Sequence, residues 1–209
     1  MSMTDIPLIV VTATVWAYWL GVGRMIVRVR RHTRHRAGIV PERRPERAMW
    51  ILMVPTIAAW CALPYLAVTH AHAPLALPDF ARSDVVAVVL RWIAALMGVA
   101  CLAATARCWR RMGDQWRMDI GNDQGPLITD GPFTRIRHPI YAYSMLLVLC
   151  SAVVLPTWPM LLVAVVHISL FNVKARFEEA HLARVHGDTY ARYVARTGRF
   201  FPRLATREP

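Results

Sequence analysis

Two groups of side chains in this 209-residue chain have the types and spacing for chemistry. The first is Gly131-Pro132-Phe133-Thr134-Arg135-Ile136-Arg137-His138-Pro139-Ile140-Tyr141, where three basic residues stand directly before a long apolar run. Proline suits the first position of a helix, so His138-Pro139 predicts a helix start. The positive dipole end of that helix, with Arg135 and Arg137 beside it, suits a carboxylate or a phosphate. The same residues would also serve as interfacial anchors of a membrane helix. The second group is Glu178-Glu179, an acidic pair in a region whose other charges are almost all basic. If the preceding helix continues through it, Glu178 and Leu182 share a face and Glu179 lies about 100° round. Such a pair can receive a cationic ligand, or it can neutralise Arg176 and the arginines around it.

The elements that must position these groups are apolar. Hydrophobic residues make up 56% of the chain, more than a soluble domain of this length can bury. They fall into runs at about 6 to 23, 48 to 69, 85 to 106 and 140 to 173. Each of the first three is long enough to cross a bilayer, which takes ~20 helical residues. The fourth is cut by Pro156-Thr157-Trp158-Pro159 into halves of about 16 and 14 residues, the pattern of a helical hairpin with its turn at a membrane boundary. The expected fold is therefore all-α and integral to the membrane, with five transmembrane helices, the last two a hairpin. Residues 1–106 hold three membrane helices and an Arg-rich loop at 24–47, and residues 107–209 hold the chemically equipped half. From Gly121 to Pro132 the chain is too rich in Gly, Pro, Asp and Asn for regular structure.

Charge sets the orientation. The 24–47 loop carries nine Arg, the stretch from Arg107 to Arg137 six, and the tail from Lys174 eight basic residues. With five spans, these 23 of 25 basic residues share one face, which the positive-inside rule makes cytoplasmic, leaving the N-terminus outside. The Arg-rich loop reads as a surface for anionic lipid headgroups and not for nucleic acid. The first run lacks a basic n-region and a cleavage site, so it is an anchor. Cys61, Cys101, Cys108 and Cys150 have no metal-ligand spacing and read as packing residues, and no metal site is expected. Gly21-Val22-Gly23 lies inside a membrane segment, where glycines allow close helix packing. Arg91 falls near the outer end of the third segment, where it is expected to snorkel to the interface. Pro55 and Pro64 are expected to kink the second segment.

Taken together, Leu127-Ile128-Thr129-x-Gly131-Pro132-Phe133, Arg137-His138-Pro139-x-Tyr141, Glu178-Glu179-x-x-Leu182, Gly187-x-x-Tyr190-x-x-Tyr193 and Arg199-Phe200-x-Pro202 resemble the isoprenylcysteine carboxyl methyltransferase family. The resemblance runs from Leu127 to Pro202, and it is the order and spacing of the elements that carries it. It implies a membrane-embedded methyltransferase using S-adenosylmethionine, without a Rossmann domain. The cofactor would lie on the cytoplasmic side, and a lipophilic acceptor would enter from the bilayer. On this resemblance Leu127, Gly131 and Phe133 lie in the loop that wraps the cofactor, and Arg137, His138 and Tyr141 match the cofactor-site motif. Glu178 and Glu179 match the acidic pair, and Arg137 and Glu178 are the expected catalytic residues. Phe133 stands where Tyr is common, and Lys174 where Arg is expected. The cofactor's carboxylate, ammonium, ribose diol and sulfonium call for a dipolar or cationic end, an acidic group and aromatic surface, which these residues offer. The acceptor stays open among an isoprenylcysteine carboxylate, a phospholipid amine, a small thiol and another apolar metabolite. An NADPH-dependent membrane reductase of the sterol type and a non-enzymatic membrane protein are the alternative readings.

Overall fold

The computed structural model describes residues 5–33, 44–69, 76–116 and 126–203. Among these residues there is no strand, only a parallel bridge between Ile136 and Gly198. The helices are α1 (Ile6–Thr33), α2 (Arg44–Thr69), α3 (Phe80–Ser83), α4 (Val85–Met112), α5 (Pro139–Val154) and α6 (Trp158–Arg196). Four of the described helices, α1, α2, α4 and α6, are long and apolar enough to cross a membrane, whereas α5 has 16 residues. The chain is a multi-pass membrane protein whose outward faces are apolar, as Ile51, Leu52, Leu90, Ile93, Leu96, Leu162 and Val165 are all exposed.

Each helix buries one stripe. In α1 it is Leu8, Val11, Val15, Tyr18, Val22, Met25 and Val29, alternating steps of three and four. The stripe continues beyond residue 23, so residues 24–33 of the expected 24–47 loop are helix, and 44–47 already belong to α2. Arginine is a good helix former, and Arg24, Arg28, Arg30 and Arg31 stay on the exposed side. Residues 34–43 of that loop lie outside the described residues. In α4 the stripe is built from small residues, Ala94, Ala95, Gly98 and Cys101, which lets α5 approach closely. A Cβ on Gly98 would come within 3.1 Å of Leu147 Cδ1. Gly21 serves a similar contact, since its Cβ would meet the Trp109 ring at 2.4 Å, whereas Gly23 faces open space. All four cysteines are free.

The hairpin halves are unequal, which departs from the expected pair of short helices. From Pro139, α5 runs about 24 Å, short of a bilayer's apolar core of ~30 Å. After the Pro156 turn α6 continues without a break to Gly187, where the backbone leaves helical geometry at φ 48°. About 20 residues suffice to cross an apolar layer, and α6, with 39 residues, is longer than that. The shortness of α5 also corrects the expectation for Arg91. That side chain does not snorkel outward. It is 1% exposed, its Nε donates to the Val154 carbonyl at 2.9 Å, and one terminal nitrogen donates to the Ala81 carbonyl at 2.9 Å. Val154 is the last residue of α5, and its carbonyl has no helical partner, so the guanidinium supplies one inside the bundle. α1 packs against α2, α4 and α5, and α6 against α2 and α5, and one apolar core runs through all five long helices.

Candidate active site

The site grows from the point where α5 begins. Pro139 occupies the first helical position, as the sequence predicts, and His138 is the N-cap residue without a side-chain cap. The segment before it is pinned by a strap from beyond α6. Arg137 N–H donates to the Gly198 carbonyl at 2.8 Å, His138 N–H to Arg199 at 3.0 Å, and Gly198 N–H to Arg135 at 3.0 Å. Only glycine fits at 198, because a Cβ there would lie 1.7 Å from the Phe201 oxygen. The Tyr193 hydroxyl donates to the Phe133 carbonyl at 2.7 Å, tying the turn at Gly131–Thr134 to α6.

Electrostatics holds this knot together. Arg137 Nε meets Glu179 Oε1 at 3.0 Å, and its guanidinium also donates to the Thr197 carbonyl. Arg199 grips the same carboxylate bidentately, with Nε 3.0 Å from both oxygens. His138 lies between the acidic neighbours, with Nδ1 3.3 Å from Glu178 Oε2 and Nε2 3.4 Å from Glu179 Oε1, the latter an ion-pair contact without hydrogen-bond alignment. Burial alone would push the imidazole's pKa down, but the two carboxylates outweigh it and hold it above the ordinary histidine value. For Glu179, burial is likewise outweighed, by His138, Arg199 and Arg137, and its carboxyl sits well below the usual range. The His138 ring stacks on Tyr141, with centroids 5.3 Å apart and planes within 3°, and Lys174 Nζ lies 5.6 Å from the centre of the Tyr141 ring.

Beside this knot is a cavity of about 490 Å³. Its charged end is walled by Arg137, His138, Lys174 and Glu178, and its apolar side by Tyr18, Trp19 and Val22 of α1, Met53 of α2 and Trp109 of α4. Of the residues expected at the site, Leu127, Phe133, Arg137, His138, Tyr141 and Glu178 are brought together on this wall. Gly131 and Glu179 are not part of it. Gly131 has φ 57° and turns the chain beside Arg111, and both carboxylate oxygens of Glu179 face arginines. Although Arg137 borders the cavity, its guanidinium is committed to Glu179 and Thr197, which makes it a positioning residue in this arrangement. Of the expected turn-rich loop, residues 117–125 lie outside the described residues, while Pro126, Leu127 and Ile128 reach the wall.

Sequence reasoning missed the α1 and α4 contributions, Tyr18, Trp19 and Trp109, and the histidines His181 and His186 of α6. For α6 a signal existed. Phe171, Lys174, Glu178, His181 and Leu182 (three and four residues on from Glu178) and Val185 lie on one helical stripe, which changes along its length from core to cavity wall.

Residues 86–189 match the family of phospholipid methyltransferases, a membrane methyltransferase family related to the isoprenylcysteine carboxyl methyltransferases that the motifs resemble. The matched region begins in α4 and takes in α5 and α6 through Glu178, and it supports a membrane methyltransferase. No match to the chain was found among curated proteins.

Proposed function

We propose that this protein is an S-adenosylmethionine-dependent methyltransferase that modifies a lipophilic acceptor drawn from the bilayer. The observation that carries the reading is a cavity that joins a charged end, His138 with Glu178, to an apolar wall of Tyr18, Trp19, Met53 and Trp109. A volume of about 490 Å³ falls in the range of small-molecule sites.

The residues present fit the cofactor. α5 begins on the cavity wall, and its first-turn N–H groups and dipole favour a carboxylate there. Glu178, with 24% of its side chain exposed, can take the ammonium or the ribose hydroxyls. Tyr141 and Phe133 offer aromatic faces to a sulfonium. When bound, the cofactor supplies an electrophilic methyl group. The protein's part is alignment and exclusion of water, since transfer is an in-line displacement that disperses charge. The α1–α4 wall would seat the acceptor's apolar part, and the family match favours a lipid as acceptor.

In this reading α5 and α6 complete a five-span topology. Cavity residues come midway along α1, late in α4, early in α2 and α5, and from the middle of α6 onward, an arrangement compatible with five crossings. The basic residues of 24–47, 107–137 and the tail support a reading in which that end faces the cytoplasm, the N-terminus lies outside and anionic headgroups surround Arg24, Arg28, Arg30 and Arg31.

The test is ligand binding to the full chain in detergent. S-adenosylmethionine should bind and NADPH should not, and Glu178→Ala and His138→Ala should each abolish the binding. Unchanged binding in both variants, or a preference for NADPH, overturns the proposal.

A further inference from the structure

We propose that the strap, residues 197–203, docks on an anionic lipid surface through Phe201, and that the bilayer thereby holds the knot at Glu179 closed. The docking itself is independent of the reaction, whereas its effect on cofactor affinity rests on the methyltransferase reading.

The strap treats two adjacent phenylalanines oppositely. Phe200 is partly buried, with its ring centroid 6.2 Å from that of His138, whereas Phe201 is 80% exposed. Phe201 is not on a loose end. Gly198 is paired with Arg135 and Arg137 on one side of it, and on the other Arg203 Nη1 donates to the Ala195 carbonyl at 2.6 Å. A lone exposed apolar residue is ordinary on a protein surface. Here its depth and the charge around it point to an occupant.

Two neighbours mark the depth. On α6 the exposed apolar stripe runs through Leu162, Val165, Val173 and Phe177 and then gives way to Arg184, so the edge of the apolar layer falls near Phe177. Arg199 of the strap holds Glu179, two residues beyond that edge. On its other side the strap is hydrogen-bonded to Arg137 and His138, immediately before α5. The 16 residues of α5 rise about 24 Å, so a crossing α5 starts no further out than the edge of a ~30 Å layer. Phe201, two residues past Arg199, is therefore at headgroup level.

Charge selects the kind of surface. From Thr189 to Arg203 the chain carries Arg192, Arg196, Arg199 and Arg203 and no acidic residue. Arg192, Arg196 and Arg203 are exposed. An apolar ring flanked by guanidinium groups suits anionic lipid, the ring entering the acyl boundary while the arginines meet phosphates. A second copy of the chain fits worse, because a symmetric contact through this patch sets arginine against arginine.

Docking then biases the knot. Arg199 grips Glu179, and the strap backbone pairs with residues 137 and 138. A surface that binds the closed strap better than the open one shifts the population towards closed. By linkage, a ligand that needs His138 and Glu178 in place binds more tightly on that surface, and its binding strengthens the docking in return.

The experiment places the full chain, one copy per disc, in bilayer nanodiscs of phosphatidylcholine alone or mixed with phosphatidylglycerol. Trypsin cleavage near Arg199 should be about tenfold slower in the anionic discs, and ~1 M salt should erase most of the difference. Phe201→Ser should be cut at rates within about twofold of each other in the two discs, while Phe201→Trp keeps the protection. A polarity-sensitive fluorophore on Phe201→Cys should shift to the blue in anionic discs and be quenched by lipids brominated near the headgroup. Labelled wild type supplies the background, since three of the four native cysteines are buried. Equal cleavage of wild type in both discs, unaltered protection in Phe201→Ser, or a label that reports water in both discs overturns the docking. Protection that appears only with two copies per disc overturns it in favour of a second chain. S-adenosylmethionine should bind wild type about tenfold more tightly in anionic than in neutral discs, and Phe201→Ser should lose that gain. A wild-type chain that binds no S-adenosylmethionine in either disc overturns the methyltransferase reading, and the cleavage and label readouts still decide the docking.

Discussion

Adjacent carboxylates with different duties give the sharpest prediction. Glu179→Gln should release the strap around Gly198 while Glu178→Gln should leave it closed, although both lie in the same turn of α6. The magnitude follows from burial. The Arg137–Glu179 pair has side-chain exposures of 9% and 14%, so removing the carboxylate's charge strands a nearly buried guanidinium. Breaking a buried pair from one side costs about 3 kcal/mol at the lower end of its range. The Arg199 contact, 34% exposed on the arginine side, is discounted because water screens it. About 3 kcal/mol corresponds to roughly 150-fold more of the open strap, at 1.4 kcal/mol per tenfold.

Limited trypsin digestion reads this directly, because Arg196, Arg199 and Arg203 all lie in or beside the strap. When opening and closing are fast relative to cleavage, the rate follows the open population. Glu179→Gln should therefore be cut roughly 10²-fold faster than wild type near Arg199, with the membrane helices intact. Glu178→Gln should be cut at the wild-type rate and yet lose cofactor binding. Equal cleavage of wild type and Glu179→Gln, or equally fast cleavage of both variants, would refute this division of roles.

Two further expectations concern the bundle and the histidine. Arg91→Leu removes both donors from the Val154 and Ala81 carbonyls, which should lower stability in detergent by about 2–3 kcal/mol while cofactor binding, at the other end of α5, is retained; an unchanged melting midpoint would contradict the capping role. His138 has a folded-state pKa raised by Glu178 and Glu179 against the opposing effect of burial, so its contribution is fully present below the ordinary histidine value near 6.5 and is lost as pH rises through the raised value. Strap protection against trypsin should thus decline on the alkaline side, once the protease's own pH dependence is divided out, and His138→Gln should flatten that decline.

Much of this architecture was legible because it is periodic or local. The apolar runs gave the helices, and Pro139 gave the start of α5. What was not legible depends on length differences and on distant partners. Arg91 was expected at an interface because the third segment was considered alone; its true surroundings follow from α5 ending at Val154, a fact of packing between helices. Tyr18 and Trp109 carry no local mark of a cavity, and only the approach of α1 and α4 to the start of α5 makes them its wall.

The acidic pair is the most instructive case, since the sequence identified both residues and could not separate them. A step of about 100° per residue means that one carboxylate faces the cavity when the other faces away. Which does which depends on where Arg137 and Arg199 arrive, and these come from before α5 and after α6. The strap supplies Arg199 and fixes Glu179 outward, and that places Glu178 on the cavity wall beside His138. The charge that would hold the ligand is therefore positioned by the charge that does not. This is why Glu179→Gln is expected to weaken cofactor binding indirectly, through an opened strap, and why adding back affinity at Glu178 alone should not rescue it.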